Sequence, residues 1–230
     1  MAGVTPKAFA GVRPQADVAS MGNAFFVVQA NAAPGQDAEL NRWYEEQHLD
    51  DCLACDTAVA AQRFRKAPGS GPGDYAYLAL YEVGNPQRFA ENRRSKEGTP
   101  LLPRTPALAL PAHAFFYRPA PAQTDLLGRQ ERVSIYIEFL NAGSAVDAAE
   151  RMTDRQRFLA KTPGLGASEL MLVDAYQEHQ GWHAAGIIFA EVFDGTGDMG
   201  RPALSLPAAA HLTVAVSGLY RPISLRRTRT

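Results

Sequence analysis

His48 is the residue best suited to chemistry in this sequence, because an imidazole with an ordinary pKa of about 6.5 exchanges a proton near neutrality. It lies in the run Leu40-Asn41-Arg42-Trp43-Tyr44-Glu45-Glu46-Gln47-His48-Leu49-Asp50-Asp51. At about 100° per residue, a helix here puts Leu40, Tyr44, His48 and Cys55 on one side and turns Arg42, Glu46 and Leu49 away. The histidine is thus aimed at whatever the helix packs on, either as a general acid/base or as a core residue bonded to backbone. Tyr44, one turn earlier, can donate to a substrate oxygen. Asp51, three residues later, can orient the ring and stabilise its protonated form. Arg63 and Arg65 alternate along the next apolar segment, so both face one side, where they can bind a carboxylate or phenolate. Tyr75, Tyr77 and Tyr81 share one face of the following segment by the same period, and either line an aromatic pocket or fill the interior of a barrel.

His48, Cys52 and Cys55 form an H-x3-C-x2-C series, a spacing that could present three borderline ligands on one side of a helix. His113, His179, His183 and His211 could supply a fourth ligand, but no paired C-x-x-C or H-x-x-x-H closes a site, so no metal is expected. The two cysteines lie three apart within a helical pattern, which is awkward for a disulfide, and are read as free thiols. There is no Walker loop, no G-x-G-x-x-G and no G-x-S-x-G, and Pro68-Gly-Ser-Gly-Pro-Gly73 reads as a hairpin loop because no helix start follows it.

The elements that must hold these residues follow from periodicity and breakers. Asn23–Asn31 (NAFFVVQAN) reads as a strand covered on both faces, ended by Pro34-Gly35. Asp37 is the expected N-cap of a helix reaching about Ala54. Strands over Ala58–Lys66 and Tyr75–Val83, a short polar helix over Pro86–Lys96 and a strand over Ala112–Arg118 complete the order β-α-β-β-α-β. The second half repeats it with strands at Arg132–Leu140, Leu165–Ala175, Trp182–Phe193 and His211–Arg221 and a helix at Ala145–Ala160. Phe116-Tyr117-Arg118-Pro119 matches Leu219-Tyr220-Arg221-Pro222, and Tyr81-Glu82-Val83 matches Ala190-Glu191-Val192. A period slightly over a hundred residues means duplication of a domain rather than a solenoid. The expected divisions are an N-terminal arm (1–22), a first unit (23–119), a linker (120–131), a second unit (132–223) and a basic tail (224–230).

The 230 residues, 46% of them hydrophobic, suffice for a core without metals or disulfides. With 23 Lys plus Arg against 24 Asp plus Glu, the charge gives no reason to expect nucleic acid or a membrane surface as partner. No leader pattern and no run of about 18 apolar residues is present, so a cytoplasmic location is expected.

Trp43-Tyr44 with His48 four residues on, then Arg63-Phe64-Arg65 and Tyr77-Leu-Ala-Leu-Tyr81-Glu, resembles the EthD-like branch of the dimeric α+β barrel superfamily, over roughly residues 23 to 118. Two departures stand out: Leu49-Asp50 follows His48 where a Pro is usual, and Asp56-Thr57 replaces a common Pro-Gly turn that Pro163-Gly164 keeps in the second unit. The resemblance implies two tandem ferredoxin-like β-α-β-β-α-β units, an α+β fold forming a barrel-type pseudo-dimer, with a cleft between sheet and helices. No histidine occurs between Ala145 and Ala160, so one site per chain is expected. The reading is a cofactor-independent lyase (dehydratase or decarboxylase) or isomerase/cyclase acting on a small hydrophobic, aromatic molecule. The alternatives are a cofactor-free monooxygenase of phenolic or polyketide substrates and a non-catalytic binding or accessory protein. His48, Tyr44 and Asp51 are the catalytic candidates; Arg63, Arg65, Tyr77, Tyr81 and Trp43 are the substrate-binding ones. A homodimer is compatible with all of these readings.

Overall fold

The computed structural model describes residues 24–70, 74–119, 134–142, 148–161, 165–173, 186–192 and 212–229. The expected arm (1–22), the linker (120–131) and whatever joins the last two long strands of the second half lie outside the described residues.

The first half supplies β1 (Ala24–Ala32), β2 (Ala58–Lys66), β3 (Tyr77–Val83) and β4 (Leu108–Pro119), and the second supplies β5 (Ile135–Ala142), β6 (Leu165–Val173), β7 (Gly186–Val192) and β8 (Leu212–Pro222). Strand limits fall within a few residues of those set by periodicity. β4 starts four residues early, because Leu108 and Ala109 still pair with Ala32 and Asn31 of β1. All pairings are antiparallel, and the order β4-β1-β3-β2 in the first half recurs as β8-β5-β7-β6 in the second. Two seams join the halves into a ring. Tyr117, Arg118 and Pro119 of β4 pair with Val173, Leu172 and Met171 of β6, and Tyr220, Arg221 and Pro222 of β8 pair with Lys66, Arg65 and Phe64 of β2. The repeated Tyr-Arg-Pro is therefore the seam itself, a proline ending each one where a missing N–H costs least.

Alternation along the strands separates two packed faces. Phe25, Val27, Phe64, Leu78, Leu80, Tyr117, Ile137, Phe139 and Tyr220 fill the barrel interior. The outer face of the first half, with Phe26, Tyr77, Ala79, Tyr81 and Phe116, packs against helices. This corrects one expectation: Tyr77 and Tyr81 do not fill the barrel but lie under the helices, and Tyr75 precedes the strand. A corresponding cluster in the second half gathers Tyr136, Leu140, Met152, Leu159 and Ile188 around α4 (Ala148–Leu159).

The helix expected over residues 37–54 is three segments: α1 (Asp37–Trp43), a π-helical turn (Tyr44–His48) and α2 (Leu49–Leu53). Gln36, not Asp37, holds the N-cap position without a side-chain bond, and the Asp37 carboxylate instead accepts from the Tyr77 hydroxyl at 2.6 Å. The π turn changes the helix phase. Leu49, which an uninterrupted α-helix would turn outward, is fully buried, while Arg42 and Glu46 are exposed as the wheel required. Thr57 takes the left-handed conformation, φ 72°, that a Pro-Gly turn would give to glycine. Its hydroxyl donates to the Asn85 carbonyl at 3.0 Å and its carbonyl accepts from Gly84 at 2.8 Å. α3 (Pro86–Lys96) starts with proline in its first turn and with Asn85 accepting from the Arg88 amide, a capped start that its sequence announces.

The tail is not free. β9 (Arg227–Thr228) pairs with β2 at Ala61 and Ala60, and Ser224 is buried. Among the described residues no helix is long and apolar enough to cross a membrane.

Candidate functional site

Between the outer face of the first half-sheet and its helices lies a cavity of about 390 Å³. This falls in the roughly 300–1,000 Å³ range usual for small-molecule sites. The π turn brings His48 into it together with Trp43 and Tyr44, and α2 adds Cys52. Phe26, Val28 and Tyr81 form the floor, and α3 with the segment after it contributes Arg93, Glu97 and Leu102–Thr105. Phe26, Phe89 and Phe116 pack with ring centroids 4.7–6.1 Å apart behind the floor, which fixes its shape.

The His48 ring stacks on the Trp43 indole at 4.0 Å and 20°, and meets the Tyr44 ring edge-on at 4.9 Å. Its Nε2 lies 3.5 Å from the Cys52 sulfur, whereas Nδ1 is buried with no partner. Burial, then the positive charges of Arg93 and Arg63, lower its pKa to about 3, so the imidazole is neutral at every ordinary pH. Burial also pushes the Cys52 thiol and the Tyr44 phenol up to about 12 each, and Tyr81 well above the usual tyrosine range. The site therefore holds uncharged imidazole, thiol and phenols beside fixed guanidinium groups. Trp43 Nε1 and the Tyr81 hydroxyl are buried without a satisfactory hydrogen bond, although the hydroxyl borders the Cys52 thiol.

The other sequence candidates are distributed unevenly. Tyr44, Trp43 and Tyr81 line the cavity with His48. Arg63 is buried behind Tyr44, its guanidinium 3.9 Å from that ring's centroid and bonded to Asn41 at 3.0 Å, and it reaches the cavity only through its field. Arg65, though on the same side of β2, is exposed and stands 5.8 Å from the Tyr77 ring. Tyr77 is engaged by Asp37 and Asn41 and is not a wall residue. Asp51 does not bond to the imidazole, whose Nδ1 has no partner and whose Nε2 faces Cys52. Its own carboxyl is held above the usual range by burial and by Asp50. The phase change at the π turn separates the two residues that an unbroken helix would stack.

Arg93 and Cys52 are the wall residues that the sequence reading missed. The signal for Arg93 was its position four residues after the buried Phe89, on the inward side of a capped helix. Its guanidinium lies 3.7 Å from Glu97, which also meets Arg104 at 3.4 Å. The H-x3-C-x2-C series does not converge, since Cys52 faces His48 but the Cys55 thiol donates to the Asp51 carbonyl at 3.6 Å. Among the described residues no group of three or more His, Cys, Asp or Glu side chains is placed to hold a metal ion.

No protein-family model matches the chain, and no curated protein sequence does. Solved structures do match. One is an anthrone oxidase-like protein, with TM-score 0.62 and 10% identity over 91% of this chain and 94% of that one. Another is a candidate monooxygenase of Fusobacterium nucleatum subsp. nucleatum, with TM-score 0.54 and 6% identity over 90% and 94%. The chain shares their fold. It is a barrel of the dimeric α+β kind formed within a single chain, and at these identities the likeness is one of architecture alone.

Proposed function

We propose that the protein is an enzyme that binds a small, hydrophobic, acidic aromatic molecule in the cavity of its first half and passes the molecule's proton to His48. The observation that carries this reading is His48 Nδ1: an imidazole nitrogen shut off from water, without a protein partner, on the wall of an aromatic cavity. A buried polar atom of this kind costs about 1–3 kcal/mol unless something completes it, and a ligand in the cavity is positioned to do so. With Nε2–H directed at the Cys52 sulfur, Nδ1 carries the free lone pair of a base.

A base whose conjugate acid has a pKa of about 3 works only if proton transfer creates compensating charge. A phenolate or enolate beside Arg93 does this, because the guanidinium that penalises imidazolium stabilises the new anion, and the pair then forms together. The same low pKa argues against the lyase reading, in which His48 would have to be protonated at rest to deliver a proton to a leaving hydroxyl. It favours chemistry started by deprotonation, with dioxygen as oxidant. For an activated ring methylene, CH2 plus O2 gives C=O plus H2O, one oxygen atom entering the substrate and the other leaving as water with both hydrogens. The anthrone oxidase-like and monooxygenase neighbours support this choice without deciding it. The reading needs no bound cofactor. The sheet order common to the two halves, with the Trp43-Tyr44…His48 motif, supports the further view of two tandem ferredoxin-like units of EthD-like kind, of which only the first carries the site.

Oxygen consumption with anthrone as probe substrate tests the proposal. Uptake of one O2 per quinone formed, by protein freed of metal with chelator, is expected. Binding of the probe without turnover would instead assign a binding or accessory role.

A further inference from the structure

We infer that Arg227, in the C-terminal tail, is a positioning residue for His48: its guanidinium straps the π turn that carries the imidazole, so a segment about 180 residues away in sequence sets the geometry of the cavity. The inference rests on the reading of the His48 cavity as the site of action.

The π turn is the weakest link in the scaffold of the site, since its i to i+5 bonding is intrinsically poorer than that of an α-helix. It is also indispensable. Leu40 and Leu49 are nine residues apart, which in an unbroken α-helix places them on opposite faces, yet both are fully buried. Relaxation to a regular helix would turn Leu49 outward and carry His48 off its stack on Trp43. Arg227 spans this turn. One nitrogen, Nη2, donates to the Glu45 backbone carbonyl and lies 3.4 Å from the Glu45 carboxylate, while Nη1 donates to Asp50 Oδ2 at 2.7 Å. Glu45 is inside the π turn and Asp50 is in the first turn of α2, so one planar fork ties the two segments on either side of His48.

The arginine is itself anchored independently of this contact. Ser224 Oγ accepts from the Arg63 amide at 2.9 Å, Ile223 N–H donates to the Arg63 carbonyl at 3.0 Å, and Arg229 N–H donates to the Val59 carbonyl at 2.9 Å. β9 pairs with β2, and Arg226 reaches the Glu82 carboxylate at 3.1 Å. Removing the Arg227 side chain therefore frees the turn without undocking the tail.

The test reads His48 directly and needs no substrate. The rate at which diethyl pyrocarbonate acylates His48, followed by peptide mass mapping, reports how often the buried ring becomes accessible. In Arg227→Met this rate should rise about fivefold, the scale on which loss of one charge-assisted clamp moves a local opening equilibrium. In Arg229→Met, which weakens tail contacts to Asp56 but not the turn, it should stay at the wild-type value. Arg227→Lys, which keeps the charge but cannot fork, should fall between. Equal rates in wild type and Arg227→Met, or the same rise in Arg229→Met, would overturn the inference. If Arg227→Met does not fold, Asp50→Asn breaks the bridge from its other end and should raise the rate by about twofold; no rise would refute the clamp. Loss of the proposed enzymatic activity would leave this readout unchanged, so the two proposals fail separately.

Discussion

Acidification should destabilise this protein through His48 in a way that substitution removes. The folded-state pKa is about 3, against about 6.5 in the unfolded chain, so below pH 6.5 the unfolded state binds a proton that the folded state refuses. Stability from this residue is thus fully present above pH 6.5 and is lost as pH falls toward 3. At pH 5 the gap is about 1.5 pH units, which at 1.36 kcal/mol per unit is about 2 kcal/mol, and at pH 7 it is near zero. Partial access of water to the ring makes this an upper value. The assay is urea denaturation of wild type and His48→Gln at pH 7 and pH 5. The quantity read is the difference between the two proteins in the stability lost over that interval, because the remaining titrating groups are common to both. Wild type should lose about 1–2 kcal/mol more than the variant. Equal losses would show that His48 titrates in the folded protein as it does in the unfolded chain, and the neutral buried base would have to be abandoned.

Leu49→Ala should cost about 2–5 kcal/mol in denaturant unfolding, the usual range for a fully buried leucine, whereas a cost below about 0.5 kcal/mol would return Leu49 to the outward face of an unbroken helix. Arg93→Met removes the second cause of the depressed His48 pKa and should raise it, seen by NMR titration of the ring; a lowered or unmoved pKa would contradict the arrangement of charges. In the second half, Arg155 and Tyr136 bond Glu138 in full burial, so Glu138→Gln should cost about 3–5 kcal/mol, and loss of less than about 1 kcal/mol would show the pair to be dispensable.

Strands and the second helix of the first half were legible because their signals are local. NAFFVVQAN can be read on both faces, and Asn85-Pro86 announces a capped helix start whatever surrounds it. The duplicated Tyr-Arg-Pro was visible as a repeat, but its meaning as the seam between halves belongs to pairings about 50 and 155 residues distant in sequence. Composition and wheel analysis put His48, Tyr44 and Trp43 together correctly. They failed at Leu49 and Asp51 because a single π turn changes the phase of everything after it, and nothing in Tyr44-Glu-Glu-Gln-His48 advertises one. Arg63 showed the opposite failure: its strand face was right, but Tyr44 stands between it and the cavity. The basic tail had no periodicity to mark it as structure, since its order comes from an edge of β2 offered by a distant part of the chain.

The account turns on whether His48 accepts the substrate's proton, and one comparison measures that most directly: steady-state kinetics and ligand affinity of His48→Gln against wild type, with an acidic phenolic or anthrone-type substrate. Glutamine keeps a hydrogen-bonding side chain of similar reach but cannot take a proton. Turnover should fall by about 10² to 10⁴ while affinity for the substrate changes by less than about threefold. Unchanged turnover, or equal losses of binding and turnover, would contradict it.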